Sequence, residues 1–178
     1  GFHDVIRSHT LAAWDDWQRH LFVDPNAVVD VYVGANPLIP TGTGRSLTNR
    51  YLRTTNGINI FLEGLPYELQ TGIDPNGIGT ELNRYDVEFM FNIAYLQQEL
   101  WFDTDPAGRT GAIPTDGRPN QTNAMSVFLH EFGHALGFNG WRDGTNGTLP
   151  GDYASTFDEH VTFVGSNLFF NGPQATSL

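Results

Sequence analysis

The residue pattern with the clearest chemical meaning is the HExxH motif from His130 to His134, with Glu131 directly after the first histidine. In a helix, residues at i and i+4 lie one turn apart on the same face, so both imidazoles can reach one metal ion. Neutral imidazole is a good zinc ligand, and Glu131 points elsewhere, which leaves it free to act as a base. The motif therefore predicts a zinc site at His130 and His134, with Glu131 as the catalytic base.

The flanking residues predict that this motif lies on a helix. Thr122 or Asn123 can cap the helix start, and Gly137 supplies a stop. Apolar residues follow the i, i+4, i+7, i+8 spacing of a buried stripe: Phe128, Phe132, Ala135 and Leu136. A chance pair of histidines on a core helix explains these features less well than a metal site does.

Composition limits the classes of function. The chain has 178 residues, most simply one domain, and no apolar run long enough to span a bilayer. A net charge of −11 argues against nucleic-acid binding and against attachment to an anionic membrane. Without lysine or cysteine, the chain cannot use a Schiff base, disulfides or thiolate zinc ligands. We expect a soluble, processed or trimmed segment, because residues 1–3 do not open a signal peptide.

The elements that must position the motif can be read upstream of it. Ser8 to Phe22 is typical of an amphipathic helix that ends before Asp24-Pro25. Three runs are typical of strands: Val28 to Val33, Ile58 to Leu62 after an Asn56-Gly57 hairpin turn, and Tyr85 to Asn92. We expect Asp86 to Asn92 to be an edge strand that holds an extended peptide beside the metal by backbone pairing.

Three further segments have less regular patterns. Gly64 to Leu82 is predicted to be mostly loop, and Ile93 to Phe102 a short helix. Thr41 to Arg45 contains glycines but lacks the spacing and the lysine of a P-loop, so a nucleotide site is not supported.

A catalytic zinc ion takes three protein ligands and keeps one position open for water, so a third donor is needed. His160 is the only histidine after the motif. The alternation from Phe157 to Phe163 predicts a strand with Asp158 on the same face, where its carboxylate would orient the imidazole. An ordinary surface histidine is the alternative. Weaker candidates for the third ligand are Asp143, Asp152, Asp158 and Glu159.

A structural calcium site is a second metal candidate. The polar loop from Trp141 to Gly151, with Asp143, Asn146 and the following Asp152, is rich in the oxygen donors that calcium prefers. Asp103 and Asp105 offer similar donors. Neither segment has EF-hand spacing, so ordinary turns remain the simpler interpretation.

The longer motif, HExxHxxG followed by Phe138, resembles the zinc peptidases called metzincins, in the branch typified by leishmanolysin and similar bacterial secreted proteases. The resemblance is specific over Ser126 to Phe138. It implies an α+β, zincin-like fold over residues 1–178, with a small mixed sheet, an N-terminal helix, an active-site helix and a loop-rich C-terminal part. It also implies a secreted, extracellular zinc metalloendopeptidase that hydrolyses peptide or protein substrates.

The chain departs from that family at two points. The family's third ligand would fall at Gly140, which has no side chain to coordinate zinc. The family's methionine turn is missing, since Met90 and Met125 both precede the expected third ligand. Either His160 completes the site, or the third ligand and the methionine turn belong to a C-terminal subdomain beyond Leu178.

Two other functions remain open. A catalytically degenerate, peptidase-like structural or adhesive surface protein would account for Gly140 and the missing methionine turn, because fold does not imply function. A calcium-dependent binding module would use the Asp/Asn loops. The presence of Glu131 favours the enzyme, because a structural zinc site needs no base. The sequence does not determine the oligomeric state.

Overall fold

The computed structural model describes residues 2–76, 85–109, 121–165 and 167–172. Three α-helices are present in these ranges: α1 (Phe2–Gln18), α2 (Gly64–Thr71) and α3 (Ala124–Ala135). The strands of the first half are β1 (Val31–Ala35), β2 (Gly42–Ser46), β3 (Asn49–Thr55), β4 (Ile58–Glu63) and β5 (Val87–Phe91). The later strands are β6 (Leu100–Trp101), β7 (Thr122–Asn123), β8 (Tyr153–Ser155), β9 (Val161–Val164) and β10 (Asn167–Phe170). The class is α+β with small sheets and an N-terminal helix, as predicted.

Strand β5 lies at the centre of the main sheet, between β1, which is parallel to it, and β2, which is antiparallel. The predicted alternation is confirmed, because Val87, Phe89 and Phe91 are fully buried while the residues between them are partly exposed. The prediction that this segment is an edge strand is wrong. Alternation identifies the two faces of a strand but not its neighbours, and β2 occupies the edge instead.

Helix α3 packs its apolar stripe on the buried face of β5. The rings of Phe89 and Phe132 meet edge to face with centroids 4.7 Å apart, and Phe91 lies 5.3 Å from Phe128. Burying aromatic side chains of this size contributes most of the packing energy of a small core. The predicted stripe is confirmed at Phe128, Phe132 and Ala135, each with no exposed surface.

Helix α1 begins before the predicted Ser8 and ends at Gln18 rather than at Phe22. It lies against α3, where the Trp17 indole Nε1 donates to the Leu129 carbonyl oxygen at 3.0 Å. His9 is fully buried, and its Nε2 accepts a hydrogen bond from the Asp103 backbone N–H at 3.0 Å. Because that nitrogen accepts, the other must carry the proton, and burial lowers the pKa of His9. Helix α3 is therefore packed between β5 on one side and α1 on the other.

A second sheet has the order β3–β4–β8, with β4 antiparallel to β3 and parallel to β8. The predicted hairpin turn is confirmed, since Asn56 and Gly57 both have positive φ, 53° and 81°. Strands β6 and β7 pair in parallel, and β9 and β10 form an antiparallel hairpin.

Several predicted elements differ from the structure. The segment predicted as a loop after Glu63 contains α2, which ends at Gly72 in the left-handed conformation (φ 67°). Strand β1 begins at Val31 rather than at Val28. The predicted helix from Ile93 is a single π-helical turn, Tyr95–Glu99, followed by β6. No helix in the described ranges is long and apolar enough to cross a membrane.

Candidate metal and catalytic centre

The ends of α3 fix the position of the HExxH motif. Asn123 is the N-cap, and its side-chain oxygen accepts from the Met125 backbone N–H at 2.8 Å. At the other end Gly137 has φ 89°, and the Phe138 and Gly137 N–H groups donate to the carbonyls of Gly133 and His134. This double closure is the Schellman motif, which glycine accommodates at no steric cost. Both predicted helix signals are confirmed.

His130 and His134 converge on one point. Their Nε2 atoms lie 2.9 Å apart, and the two rings are nearly perpendicular, at 86°. Two nitrogen ligands of one tetrahedral zinc ion, each about 2.0–2.1 Å from the metal, are separated by about 3.3 Å. The 2.9 Å separation is a few tenths of an ångström shorter than that spacing and is also the length of a hydrogen bond between the two rings, so the pair offers two of the donors that a zinc ion takes.

Glu131 is buried beside the histidine pair, with 5% of its surface exposed. Its Oε2 atom is buried and has no hydrogen-bond partner among the described residues. Burial raises the pKa of the Glu131 carboxyl, against the lowering effect of His130 and His134 and of the Gly44 backbone N–H. An unpaired carboxylate oxygen in a native site needs an explanation, and a water or substrate proton would supply the missing partner.

Strand β2, at an edge of the main sheet, runs directly against α3. A Cβ atom at Gly44 would lie 2.5 Å from the Glu131 carbonyl oxygen and 2.6 Å from its Cβ. Only glycine allows the strand backbone to come this close to α3. The glycine-rich stretch that lacked a P-loop pattern is thus the strand beside Glu131.

We expect Gly44→Ala to push β2 away from α3, since the clashing atoms belong to the backbone and cannot rotate aside. The expected cost is about 1–3 kcal/mol in the free energy of unfolding, typical of overpacking, and urea denaturation would measure it. Gly144→Ala is the matched control, because a Cβ there meets nothing within 4 Å. Equal stability of the two variants would contradict the close contact.

A cleft follows β2 on both sides of His134. One cavity of about 660 Å³ is lined by Gly42, Gly44, Tyr95, His130, Glu131 and His134, among others. A second, of about 680 Å³, is lined by Arg45, Ser46, Glu63, His134, Trp141 and Tyr153, among others. The two cavities share His134 and Asn139. No described strand pairs with the outer edge of β2, and the Gly44 N–H of this strand is directed at the Glu131 carboxylate.

Sequence reasoning missed Glu63, which lines the second cavity. The Trp141 indole Nε1 donates to its Oε1 at 3.2 Å, and burial raises the pKa of Glu63 to about 7. The residue ends β4, and nothing in its local sequence distinguishes it from a surface glutamate. Only the approach of Trp141, from a loop remote in sequence, places it inside the cleft.

His160 is not brought to the histidine pair. It is exposed at the end of a 3₁₀ turn, Asp158–His160, where its ring meets Phe170 edge to face with centroids 6.0 Å apart. The predicted strand is therefore wrong before Val161. In the described ranges no third histidine, aspartate or glutamate joins His130 and His134 in a group whose donor atoms lie within 4.8 Å of one another.

The weaker candidates for the third ligand have other roles. Glu159 pairs with Arg53 at 2.6 Å, and Asp143 accepts from the Thr145 N–H at 2.7 Å in an ordinary turn. Neither of the predicted calcium segments forms a three-carboxylate group within the described ranges.

Asp158 holds the loop that follows the active-site helix. It is 1% exposed, and its carboxylate accepts from the Trp141 N–H at 2.9 Å and from the Ser155 N–H at 3.0 Å and Oγ at 2.9 Å. A Cβ at Gly140 would lie 2.7 Å from Asp158 Oδ1. Gly140, where the resemblance would place a third ligand, is thus packed on Asp158, and a side chain there would displace the Asp158 carboxylate.

Comparisons with known proteins add no assignment to this geometry. No family model matches the chain, and no curated protein or solved structure matches it. A functional assignment therefore depends on the residues of the cleft.

Proposed function

We propose that this chain is a secreted, extracellular zinc metalloendopeptidase with a zincin-like fold. The observation that carries the proposal is the convergence of His130 and His134, with Nε2 atoms 2.9 Å apart, beside the unpaired buried carboxylate oxygen of Glu131. A structural zinc site can also use a histidine pair, but it has no use for a free base next to the ligands. The secreted setting rests on the resemblance of residues 126–138 to the metzincins.

His130 and His134 would hold the ion, which when bound polarises a carbonyl group and makes its water more acidic. Glu131 would accept the proton of the attacking water and pass it to the leaving amine, which is general acid–base catalysis. Its burial keeps the carboxylate in one orientation and excludes competing water from it. Two of the three protein ligands of a catalytic zinc ion are thereby assigned, and His160 is not kept as the third.

The outer edge of β2 would bind the substrate. An extended peptide can pair with an open strand edge through main-chain N–H and C=O groups, while alternate side chains enter pockets. The cleft on the two sides of His134 offers such pockets along β2. This role replaces the one predicted for Asp86 to Asn92, whose strand is paired on both sides. Peptide or protein substrates are the ligands that this geometry suits.

One observation favours a second function, a catalytically degenerate peptidase-like protein with a structural or adhesive role. Among the described residues, no third histidine, aspartate or glutamate joins the histidine pair. Loss of a zinc ligand would abolish hydrolysis while leaving the fold and the cleft available for binding. The two functions differ in one measurable property, which is turnover of a peptide that occupies the cleft.

The experiment that tests the proposal is metal removal. We expect the purified chain to cleave a denatured protein substrate, to lose that activity on dialysis against 1,10-phenanthroline, and to regain it with stoichiometric zinc. Mass spectrometry of the fragments would identify the cleaved bonds. Addition of calcium alone is the control and should restore nothing. Hydrolysis that survives complete zinc removal would overturn the proposal, and a zinc-loaded chain that cleaves no peptide would favour the second function.

A further inference from the structure

A group of carboxylates lies where α2, the loop after it and the residues before β5 meet. Glu68 on α2, Asp74 in the loop and Asp86 before β5 have donor oxygens that all lie within 4.8 Å of one another. Glu68 and Asp86 are 2% and 3% exposed, whereas Asp74 is open to solvent. No described arginine or histidine forms an ion pair with any of the three. Like charges buried this close together repel unless something compensates them.

Unpaired buried oxygens are a second observation at the same place. Glu68 Oε1 accepts from the Val28 N–H at 2.9 Å, but Glu68 Oε2 is buried without a hydrogen-bond partner. The Asn76 side-chain oxygen is also buried and unpaired, while its Nδ2 donates to Asp86 Oδ1 at 2.8 Å. A buried acceptor that lacks a donor is destabilising. Two such oxygens in one group of carboxylates indicate a missing positive partner.

The raised pKa of Asp86 is consistent with a missing positive partner at this group. Burial raises the pKa of Asp86 to about 7, and the Asp30 N–H bond lowers it. A side-chain hydrogen bond that Asp86 can share with Glu68 when one of them is protonated, together with the Glu68 and Asp74 charges, raises it further. Two occupants would reduce the repulsion between these carboxylates. One is a proton shared between Glu68 and Asp86, and the other is a cation bound by all three carboxylates. A shared proton would give Glu68 and Asp86 a hydrogen bond to each other. It would not provide a partner for the Asp74 carboxylate or for the Asn76 side-chain oxygen.

We propose that Glu68, Asp74 and Asp86 bind one calcium ion that stabilises the fold. The donors are all oxygens, with no nitrogen or sulfur, which suits a hard cation and not zinc. Calcium accepts six to eight oxygens, including water, in flexible geometry, so water can complete the coordination that the three carboxylates begin. Magnesium demands a stricter octahedron and keeps more of its own water, so it fits less well. The site is separate from the histidine pair and does not depend on the proposed peptidase activity.

The ion would connect segments that are distant in sequence. Asp86 Oδ2 accepts from the Asp30 N–H at 2.7 Å, and Glu68 binds the Val28 N–H, so both carboxylates also hold the chain just before β1. Bound calcium would therefore lock α2 to the starts of β1 and β5. We expect calcium to stabilise the folded state without changing the residues of the cleft.

The test uses the whole chain, loaded with zinc after all calcium has been removed. Calcium chloride is titrated while calorimetry measures stoichiometry and affinity, and the melting temperature is recorded at each concentration. We expect one calcium per chain and a rise in melting temperature of about 5 °C at saturation. Asp74→Asn should weaken binding at least tenfold and remove most of the rise; because Asp74 is exposed, this variant should still fold. Asp143→Asn, in a polar turn elsewhere, is the matched control and should behave as the wild type.

Glu68→Gln separates the two occupants of the site. If calcium is the occupant, this variant loses the calcium response. If the wild type shows no calcium binding, or if Asp74→Asn binds calcium as tightly as the wild type, the proposal is wrong. A wild type without calcium binding and a Glu68→Gln variant of unchanged stability would identify the shared proton as the occupant.

Discussion

Replacing Glu131 with glutamine should abolish peptide hydrolysis while zinc remains bound by His130 and His134. Glutamine has nearly the same shape, so the buried position tolerates it, but an amide cannot take a proton from water. General acid–base catalysis contributes about 10²–10⁴-fold to rate, and we expect kcat/KM to fall by at least that factor. The measurement is cleavage of a fluorogenic peptide, with zinc content determined by elemental analysis on the same sample.

Glu99→Gln is a suitable control, because Glu99 is an exposed glutamate outside the motif. This variant should keep both its zinc and its activity. Turnover retained by Glu131→Gln would refute the role of Glu131 as the base. Loss of zinc together with activity would show instead that Glu131 helps to hold the metal.

Asp158→Ala should cost the largest amount of stability among the substitutions considered. The Asp158 carboxylate is 1% exposed and accepts hydrogen bonds from the backbone of Trp141 and from the backbone and hydroxyl of Ser155. Hydrogen bonds to a charged group contribute about 1.5–3 kcal/mol each. Because alanine leaves several buried donors unpaired, we expect a loss of about 3–5 kcal/mol in the free energy of unfolding, measured by urea denaturation.

The same substitution should also lower activity, since Asn139 and Trp141 line the cleft from the loop that Asp158 holds. Glu159→Gln is the matched control, because Glu159 is adjacent but exposed and pairs with Arg53 at the surface. Exposed ion pairs contribute about 0–1 kcal/mol, so this variant should remain close to wild type. Equal stability of the two variants would mean that Asp158 does not organise the loop.

The parts of the site that sequence could predict are those fixed by local rules. Asn123 and Gly137 mark the ends of α3 because capping depends on residues within one turn of each other. The alternation of Val87, Phe89 and Phe91 identifies a buried strand face because strand periodicity is local. These features needed no knowledge of the rest of the fold.

The parts that sequence could not predict depend on contacts between distant segments. Strand β2 is rich in glycine and has weak strand propensity, and its place is set by the close approach of Gly44 to Glu131. The alternation from Phe157 to Phe163 predicts Asp158 on a strand beside His160, whereas its carboxylate accepts from the Trp141 N–H, 17 residues earlier in the chain. Helix α2 has only Leu65 and Leu69 as buried apolar residues, too few for a clear periodicity.

The central claim is that His130 and His134 together hold one zinc ion. The most direct test is elemental analysis of the zinc-reconstituted chain and of its His134→Ala variant after removal of loosely bound metal. The account predicts one zinc per wild-type chain and none in His134→Ala, with the fold of the variant verified by circular dichroism. Zinc retained by a folded His134→Ala variant, or no zinc in the wild-type chain, would contradict it.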